Sequence, residues 1–247
     1  MVHDAASEGF SRAPDAYDRA RPDYPDPAID WLWEALRLHR GDAVADVGAG
    51  TGKLSAPLAA RGAAITPVEP VEAMRKYLER RLPEARSLAA PAEHMPLPDG
   101  AMAAVVAGQA FHWFANDASL SEFHRVLSPG GRLGLIWNRR DLTDPVQAAI
   151  SQLIEPYSGG VPRHAADEWR KVLDSTRLFE AAGEARFAFR QQLDRDGLAD
   201  RVGSTSFIAA MAAEEREPLL ERVKSLADAE GRASLAYTCE AFAYRAT

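Results

Sequence analysis

Apolar positions along the chain follow two periods. Ile29, Leu32, Trp33 and Leu36 recur at helical spacing and predict an amphipathic helix that ends at Gly41-Asp42. Ala43-Val44-Ala45-Asp46-Val47 is a short, mostly apolar run halted by glycines, the pattern of a buried parallel strand. Lys53 to Arg61 returns to helical spacing, with Gly62 where a C-terminal cap belongs. Ala64 to Val68 is a second strand, in which Pro67 favours a strand end because it cannot donate to a ladder. Val71, Met74, Tyr77, Leu78 and Leu82 mark another helix. Further strands are expected at Ser87–Ala90, Met102–Ala107 and Arg132–Trp137. A helix carrying Leu120, Phe123 and Leu127 and a Ser128-Pro129-Gly130-Gly131 turn precede the last of these.

After Asn138 the regularity changes. Residues 144–183 read as helix with breaks, including the Tyr157-Ser158-Gly159-Gly160 loop. Glu184–Gln191 is a candidate strand; Leu219, Leu220, Val223, Leu226 and Ala227 share a helix face; Leu235–Tyr244 is a final strand. Strands alternating with helices imply βαβ units. The expected fold is α/β: a Rossmann-like, doubly wound, mostly parallel sheet with helices on both faces and a C-terminal helical cap. One domain over 1–247 is expected, with an N-terminal arm and helix at 1–40 and a cofactor-binding core at 41–140. Insertions at 141–232 would cap the substrate, and 233–247 would be the last strand.

Composition narrows the function. A chain of 247 residues that is 47% apolar suits one decorated α/β domain. The net charge is −7, and the densest cations, Arg75-Lys76, Arg80-Arg81 and Arg139-Arg140, are only pairs, so nucleic acid is not an expected partner. Cys239 is the single cysteine, which excludes an internal disulfide and suggests a buried thiol. With no basic-then-apolar leader and no apolar run of about 18 residues, a cytoplasmic chain without membrane contact is expected. His3, His39, His94, His112, His124 and His164 show no metal-ligand spacing, so no metal is expected.

The candidate chemistry centres on Asp46-Val47-Gly48-Ala49-Gly50-Thr51-Gly52, between a strand and a helix. Glycines there let a ligand approach the backbone, and the helix start supplies unpaired N–H groups. Glu69 ends the next strand about 20 residues on, where an acid would accept hydrogen bonds from ribose hydroxyls. The spacing is wrong for a dinucleotide fingerprint, since Lys53 or Ser55 falls where glycine or alanine is needed. A phosphate-binding loop is excluded because Leu54 follows Gly52-Lys53.

The run Val44 to Gly52 resembles the first motif of class I S-adenosylmethionine (SAM)-dependent methyltransferases. The resemblance implies SAM as cofactor and S-adenosylhomocysteine as product. It implies cofactor contacts from Asp46, Gly48, Ala49, Gly50, Gly52, Glu69 and Pro70, with Ala92 and Glu93 at the adenine. Ala107 to Phe114, containing Gln109 and Ala110, is similar to the fourth motif, and Leu127 to Gly131 to the turn before strand five. Gln109-Ala110-Phe111-His112-Trp113-Phe114, together with Tyr17 to Pro25, resembles the trans-aconitate methyltransferase-like group. The resemblance covers about residues 8–140 and implies a seven-stranded sheet with an antiparallel last strand.

Methyl transfer is an in-line displacement that needs alignment and dryness more than an acid or base. His112, Trp113 and Tyr17 are the catalytic candidates: Trp113 and Phe114 as walls, His112 as an orienting group, Tyr17 as part of a lid. Phe10 and Phe114 are candidate substrate contacts, and Arg139 and Arg140 a carboxylate clamp. The leading expectation is methyl transfer to oxygen or nitrogen of a small molecule, with carboxylic acids among the candidates, by a monomer or homodimer. Other SAM chemistry, such as intramolecular cyclisation, and a non-catalytic SAM-binding regulator remain as alternatives.

Overall fold

The computed structural model describes residues 18, 20–158 and 168–247; Phe10 and Tyr17 lie outside them. The first element described in full is helix α1 (Asp26–Ala35), followed by β1 (Ala43–Val47), α2 (Ser55–Arg61), β2 (Ala64–Val68), α3 (Glu72–Arg81) and β3 (Met102–Gly108). A 3-10 turn (Phe111–Trp113) leads to α4 (Asp117–Val126) and β4 (Leu127–Arg140). After α5 (Pro145–Ile154), α6 (Glu168–Ser175) precedes β5 (Phe179–Asp194). Helices α7 (Arg195–Gly203), α8 (Ser206–Ala209) and α9 (Ala213–Lys224) then lead to β6 (Arg232–Ala246).

The sheet runs β2-β1-β3-β4-β6-β5. β1 is parallel to β2 and β3, and β3 to β4, whereas β6 is antiparallel to both β4 and β5. The chain leaves β1 for β2 on one side and returns to β3 on the other. The carboxyl ends of β1 and β3 therefore flank a topological switch point, where open α/β sheets bind ligands.

Each face of the sheet is buried by its own helices. Ile29 and Leu32 of α1 and Leu58 of α2 pack on Val44, Val106 and Ile136. α1 comes so close to β4 that a Cβ on Gly134 would lie 2.9 Å from Leu36 Cδ1, which explains a glycine inside a central strand. On the other face, Phe123 of α4 and Trp169 of α6 pack with Val105, Leu135, Trp137 and Phe242. Trp137 and Trp169 stack with centroids 4.6 Å apart.

A third cluster joins Ile150 and Ile154 of α5, Leu198 and Val202 of α7, Ile208 of α8, and Leu219 and Val223 of α9 to Leu235 and Tyr237 of β6. Because Tyr237 pairs with Arg140, this cap stands at the carboxyl end of β4.

Most elements fall where the periodicity places them. Gly62 caps α2 with φ 105°, and Pro67 lies in β2, at the outer side of the sheet. Five expectations need correction. α1 ends at Ala35, with Arg37 already at φ 54°, rather than at Gly41-Asp42. The strand at Ser87–Ala90 is only a parallel bridge between Val68 and Leu88, so the sheet has six named strands rather than seven. Ser128 to Gly131 is an irregular lead-in within β4, where pairing steps from Met102–Leu127 to Ala104–Arg132. Residues 179–183 are strand, not helix, so the strand expected at Glu184–Gln191 begins at Phe179. α2 starts at Ser55 rather than Lys53.

Candidate functional site

The glycine loop leaves β1 with Gly48, Gly50 and Gly52 all in left-handed conformations, at φ 68°, 57° and 83°. Each has a different neighbour. A Cβ on Gly48 would lie 2.7 Å from Ala110 Cβ and 3.1 Å from Phe114 Cε1, so the exit from β3 packs on bare backbone. A Cβ on Gly52 would meet Leu78 and Arg81 of α3 at ordinary contact distance. A Cβ on Gly50 would meet nothing within 4 Å.

Two buried acids organise the loop. Asp46 is fully buried, and its Oδ2 accepts from Ser55 Oγ at 2.6 Å. Burial pushes its pKa up to about 7; the Ser55 hydroxyl works against the rise and the Glu69 charge adds to it. Glu69 Oε2 accepts from Gly50 N–H at 2.9 Å, and Oε1 from Val71 N–H at 2.8 Å. Burial raises the Glu69 pKa as well, although those two N–H groups and Arg75 oppose it. The Arg75 guanidinium donates to the Glu69 and Pro70 carbonyls, holding the segment after β2.

A pocket opens beside this loop. Asp46, Gly48, Ala49, Gly50, Thr51, Lys53 and Leu54 form one side, and Gly108 and Gln109 the end of β3. Arg21, Pro22, Tyr24 and Arg201 complete the lining. Gln109 has φ 61°, an uncommon conformation for a residue with a side chain, at the tip of β3. Its Nε2 donates to Asn138 O, and Asn138 Nδ2 donates to the carbonyls of Pro22 and Asp23. The segment before α1 is thereby tied across the tips of β3 and β4.

Of the other expected residues, Gly52, Glu69, Pro70, Ala92, Glu93, Ala110, His112, Trp113 and Phe114 are not among the pocket's lining residues. Ala92 is buried, and Glu93 accepts from Asn116 Nδ2, whose Oδ1 caps α4. Phe114 stands edge-on to Phe111 and Phe123. Trp113 is half-buried beside His112, ring centroids 4.9 Å apart; the core tryptophans are Trp137 and Trp169. His112 Nδ1 accepts from Trp137 Nε1 at 3.4 Å. Arg139 and Arg140 are not among the lining residues. Arg139 Nη1 instead lies 3.4 Å from buried Glu240, which Arg186 shares. Cys239 is buried, and burial pushes its thiol up to about 12. Among the described residues no cluster of His, Cys, Asp or Glu could hold a metal, and no helix is long and apolar enough to cross a membrane.

Sequence reasoning missed Thr51, Lys53, Leu54, Gly108, Arg21, Pro22, Tyr24 and Arg201 as pocket walls. Thr51 belongs to the glycine motif and Lys53 and Leu54 follow it, while Arg21-Pro22 and Tyr24 stand out in the N-terminal segment only through its resemblance. Arg201 carries no local signal.

The site fits the cofactor that the motif implies. Asp46 Oδ1 is buried without a hydrogen-bond partner among the described residues, so an acceptor remains beside the pocket. Gly50 leaves open space where any other residue would place a side chain. Each Glu69 oxygen has a second lone pair for a hydroxyl donor.

Comparison with known proteins agrees. The family model described as "Methyltransferase domain" matches residues 45–135. An uncharacterized methyltransferase of Mycobacterium tuberculosis is 36% identical over 235 residues, covering 89% of this chain and 86% of that protein. An uncharacterized methyltransferase-like protein of Schizosaccharomyces pombe is 31% identical over 212 residues, covering 85% and 82%. Among solved structures, one assigned to a type II methyltransferase of Anaeromyxobacter dehalogenans superposes with a TM-score of 0.69 at 24% identity, covering 92% of this chain and 97% of that one. These likenesses bear out the class but not the trans-aconitate-like subgroup. The glycine loop, Glu69, the sheet order and these relatives agree: the chain belongs to the class I SAM-dependent methyltransferases.

Proposed function

We propose that this chain methylates an oxygen or nitrogen atom of a small molecule. One observation supports this above others: the pocket beside the glycine loop is walled by the chain's own Arg21 to Tyr24 and by Arg201 of the cap. Such walls suit a compact acceptor rather than a polymer. Bound SAM supplies an electrophilic methyl on its sulfonium. The residues of the chain hold, orient and dry the site.

In this reading, Glu69 and the main chain of the glycine loop hold the adenosyl end, with Pro70, Ala92 and Glu93 beside it. Ala110 and Phe114 fix the wall that packs on Gly48. His112 acts as an orienting group. In its neutral form, with Nδ1 accepting from Trp137, the ring carries its hydrogen on Nε2 and offers a hydrogen-bond donor there rather than a basic lone pair. The Trp137–Trp169 stack beneath it keeps that ring in place.

The test is incubation with methyl-labelled SAM and a cell metabolite extract, read by mass spectrometry. The expected result is a labelled small molecule with stoichiometric S-adenosylhomocysteine. Label confined to protein or nucleic acid, or methylthioadenosine as the nucleoside product, would overturn the reading.

A further inference from the structure

Arg201 is a charged side chain in an unusual setting. It sits on α7 in the cap, is only 5% exposed, and lines the same pocket as Gly48, Gly50 and Thr51. Its Nε donates to Tyr237 Oη at 2.9 Å, and the guanidinium carbon lies 5.8 Å from the Tyr237 ring centre. Nη1 is buried and makes no hydrogen bond to any described residue. In the surrounding cap, Asp144 pairs with Arg190 and Asp196 with Lys224.

Other cations stand close by. Arg21 lines the same pocket, and its Nη2 donates to Ser204 O just beyond α7. Arg140 and Arg201 both bear on buried Tyr237: burial raises its pKa, but the two positive charges and the hydrogen bonds from Arg201 and Gln147 outweigh that and lower it. Asp46, the acid in the lining, gives its Oδ2 to Ser55, and its Oδ1 accepts from no described residue, Arg201 included. No described acid pairs with Arg201, and a buried guanidinium in that position is costly unless an anion arrives to meet it. A forked donor beside a ligand pocket matches a carboxylate.

We propose that Arg201, oriented by Tyr237, is the anchor of a carboxylate subsite in the cap wall of the pocket. The inference rests on the reading that this pocket takes SAM. The carboxylate has two sources in that case: the amino-acid end of the cofactor, or an acidic acceptor. The acidic-acceptor idea thus moves from Arg139, which is occupied by Glu240, to a cap residue remote in sequence.

The test compares wild type with Arg201→Met, which keeps the length and removes the charge. Titration calorimetry measures S-adenosylhomocysteine, which carries the carboxylate, and 5′-methylthioadenosine, which lacks it. Loss of about 10- to 100-fold for the first with no change for the second assigns the subsite to the cofactor. Unchanged affinity for both assigns it to the acceptor if succinate or acetate raises the melting temperature of the S-adenosylhomocysteine-loaded wild type and not of the loaded variant. Equal affinity of both proteins for the nucleosides, with no carboxylate effect that depends on Arg201, overturns the proposal. A wild type that binds neither nucleoside overturns the SAM-pocket reading itself, and this inference with it. Should Arg201→Met fail to fold, Tyr237→Phe keeps the cation and removes its orienting partner. It is expected to weaken the same carboxylate-bearing ligand by about two- to fivefold and to spare methylthioadenosine; equal affinities for both would again overturn the proposal.

Discussion

Alanine at Gly48 and at Gly50 separates a glycine kept for packing from one kept for a ligand. Both have positive φ, so a Cβ at either costs about 1–2 kcal/mol of backbone strain. At Gly50 little is added, since the new methyl meets nothing within 4 Å. At Gly48 the methyl would lie 2.7 Å from Ala110 Cβ, on backbone pinned between β3 and the 3-10 turn. Overpacking of that kind adds about 1–3 kcal/mol. Melting temperature falls by about 2–4 °C per kcal/mol in a domain of this size. Gly50→Ala should therefore lose about 5 °C and Gly48→Ala about 10 °C. Binding should rank the other way per degree lost: Gly50→Ala keeps the fold but fills cofactor space, weakening S-adenosylhomocysteine by about 10- to 100-fold. Scanning fluorimetry and titration calorimetry on the same samples read both quantities. If Gly50→Ala binds within about twofold of wild type, the open space there is not cofactor space, and the reasoning fails.

Three further outcomes follow from the same geometry. Asp46 has a folded pKa of about 7 against an ordinary 3.8. The unfolded chain therefore releases this proton first, so its contribution is fully present below about pH 4 and is lost as pH rises through about 7. Asp46→Asn should flatten the fall in apo-protein melting temperature between about pH 4 and 7 relative to wild type, and parallel curves for the two proteins would contradict the burial argument. Glu69→Gln turns one acceptor toward Gly50 or Val71 into a donor facing a donor. It should cost about 1–3 kcal/mol in urea unfolding and weaken S-adenosylhomocysteine at least about tenfold; unchanged affinity would remove Glu69 from the cofactor site. Trp169→Ala empties a stacked position against Trp137 and should cost about 3–5 kcal/mol, read as a lower urea midpoint. A loss below about 1 kcal/mol would mean that the stack is not part of the cooperative core.

The features legible in the sequence are those whose causes are local. The glycine loop, the Gly62 cap and the α1 stripe of Ile29 and Leu32 each depend on residues a few places apart, and each stands where the pattern puts it. The features not legible depend on distant partners. Ser87–Ala90 looks like a strand, yet only Leu88 is bridged to β2. β5 begins at Phe179, but Glu180-Ala181-Ala182-Gly183-Glu184 is an exposed stretch without alternation; pairing with β6, not side-chain burial, makes it a strand. Arg139 looks as available as Arg140 in the sequence, and only the antiparallel register with β6 brings Glu240 to it. Arg201 is invisible for the same reason, since its meaning comes from Tyr237 and a pocket built by residues far upstream.

The place of β6 in the sheet has a consequence for how the protein is made. This strand comes last along the described chain but lies between β4 and β5. Until Arg232–Ala246 has been synthesised, β4 has an open edge on one side and β5 has no strand to pair with. The cofactor loop and Glu69 are made early, while the Tyr237 that orients Arg201 arrives with the closing strand. A nascent chain thus carries a glycine loop beside an unfinished sheet whose open edge favours self-association. Ribosome-bound chains halted before residue 232 should depend on chaperones for solubility, and those carrying the full β6 should not.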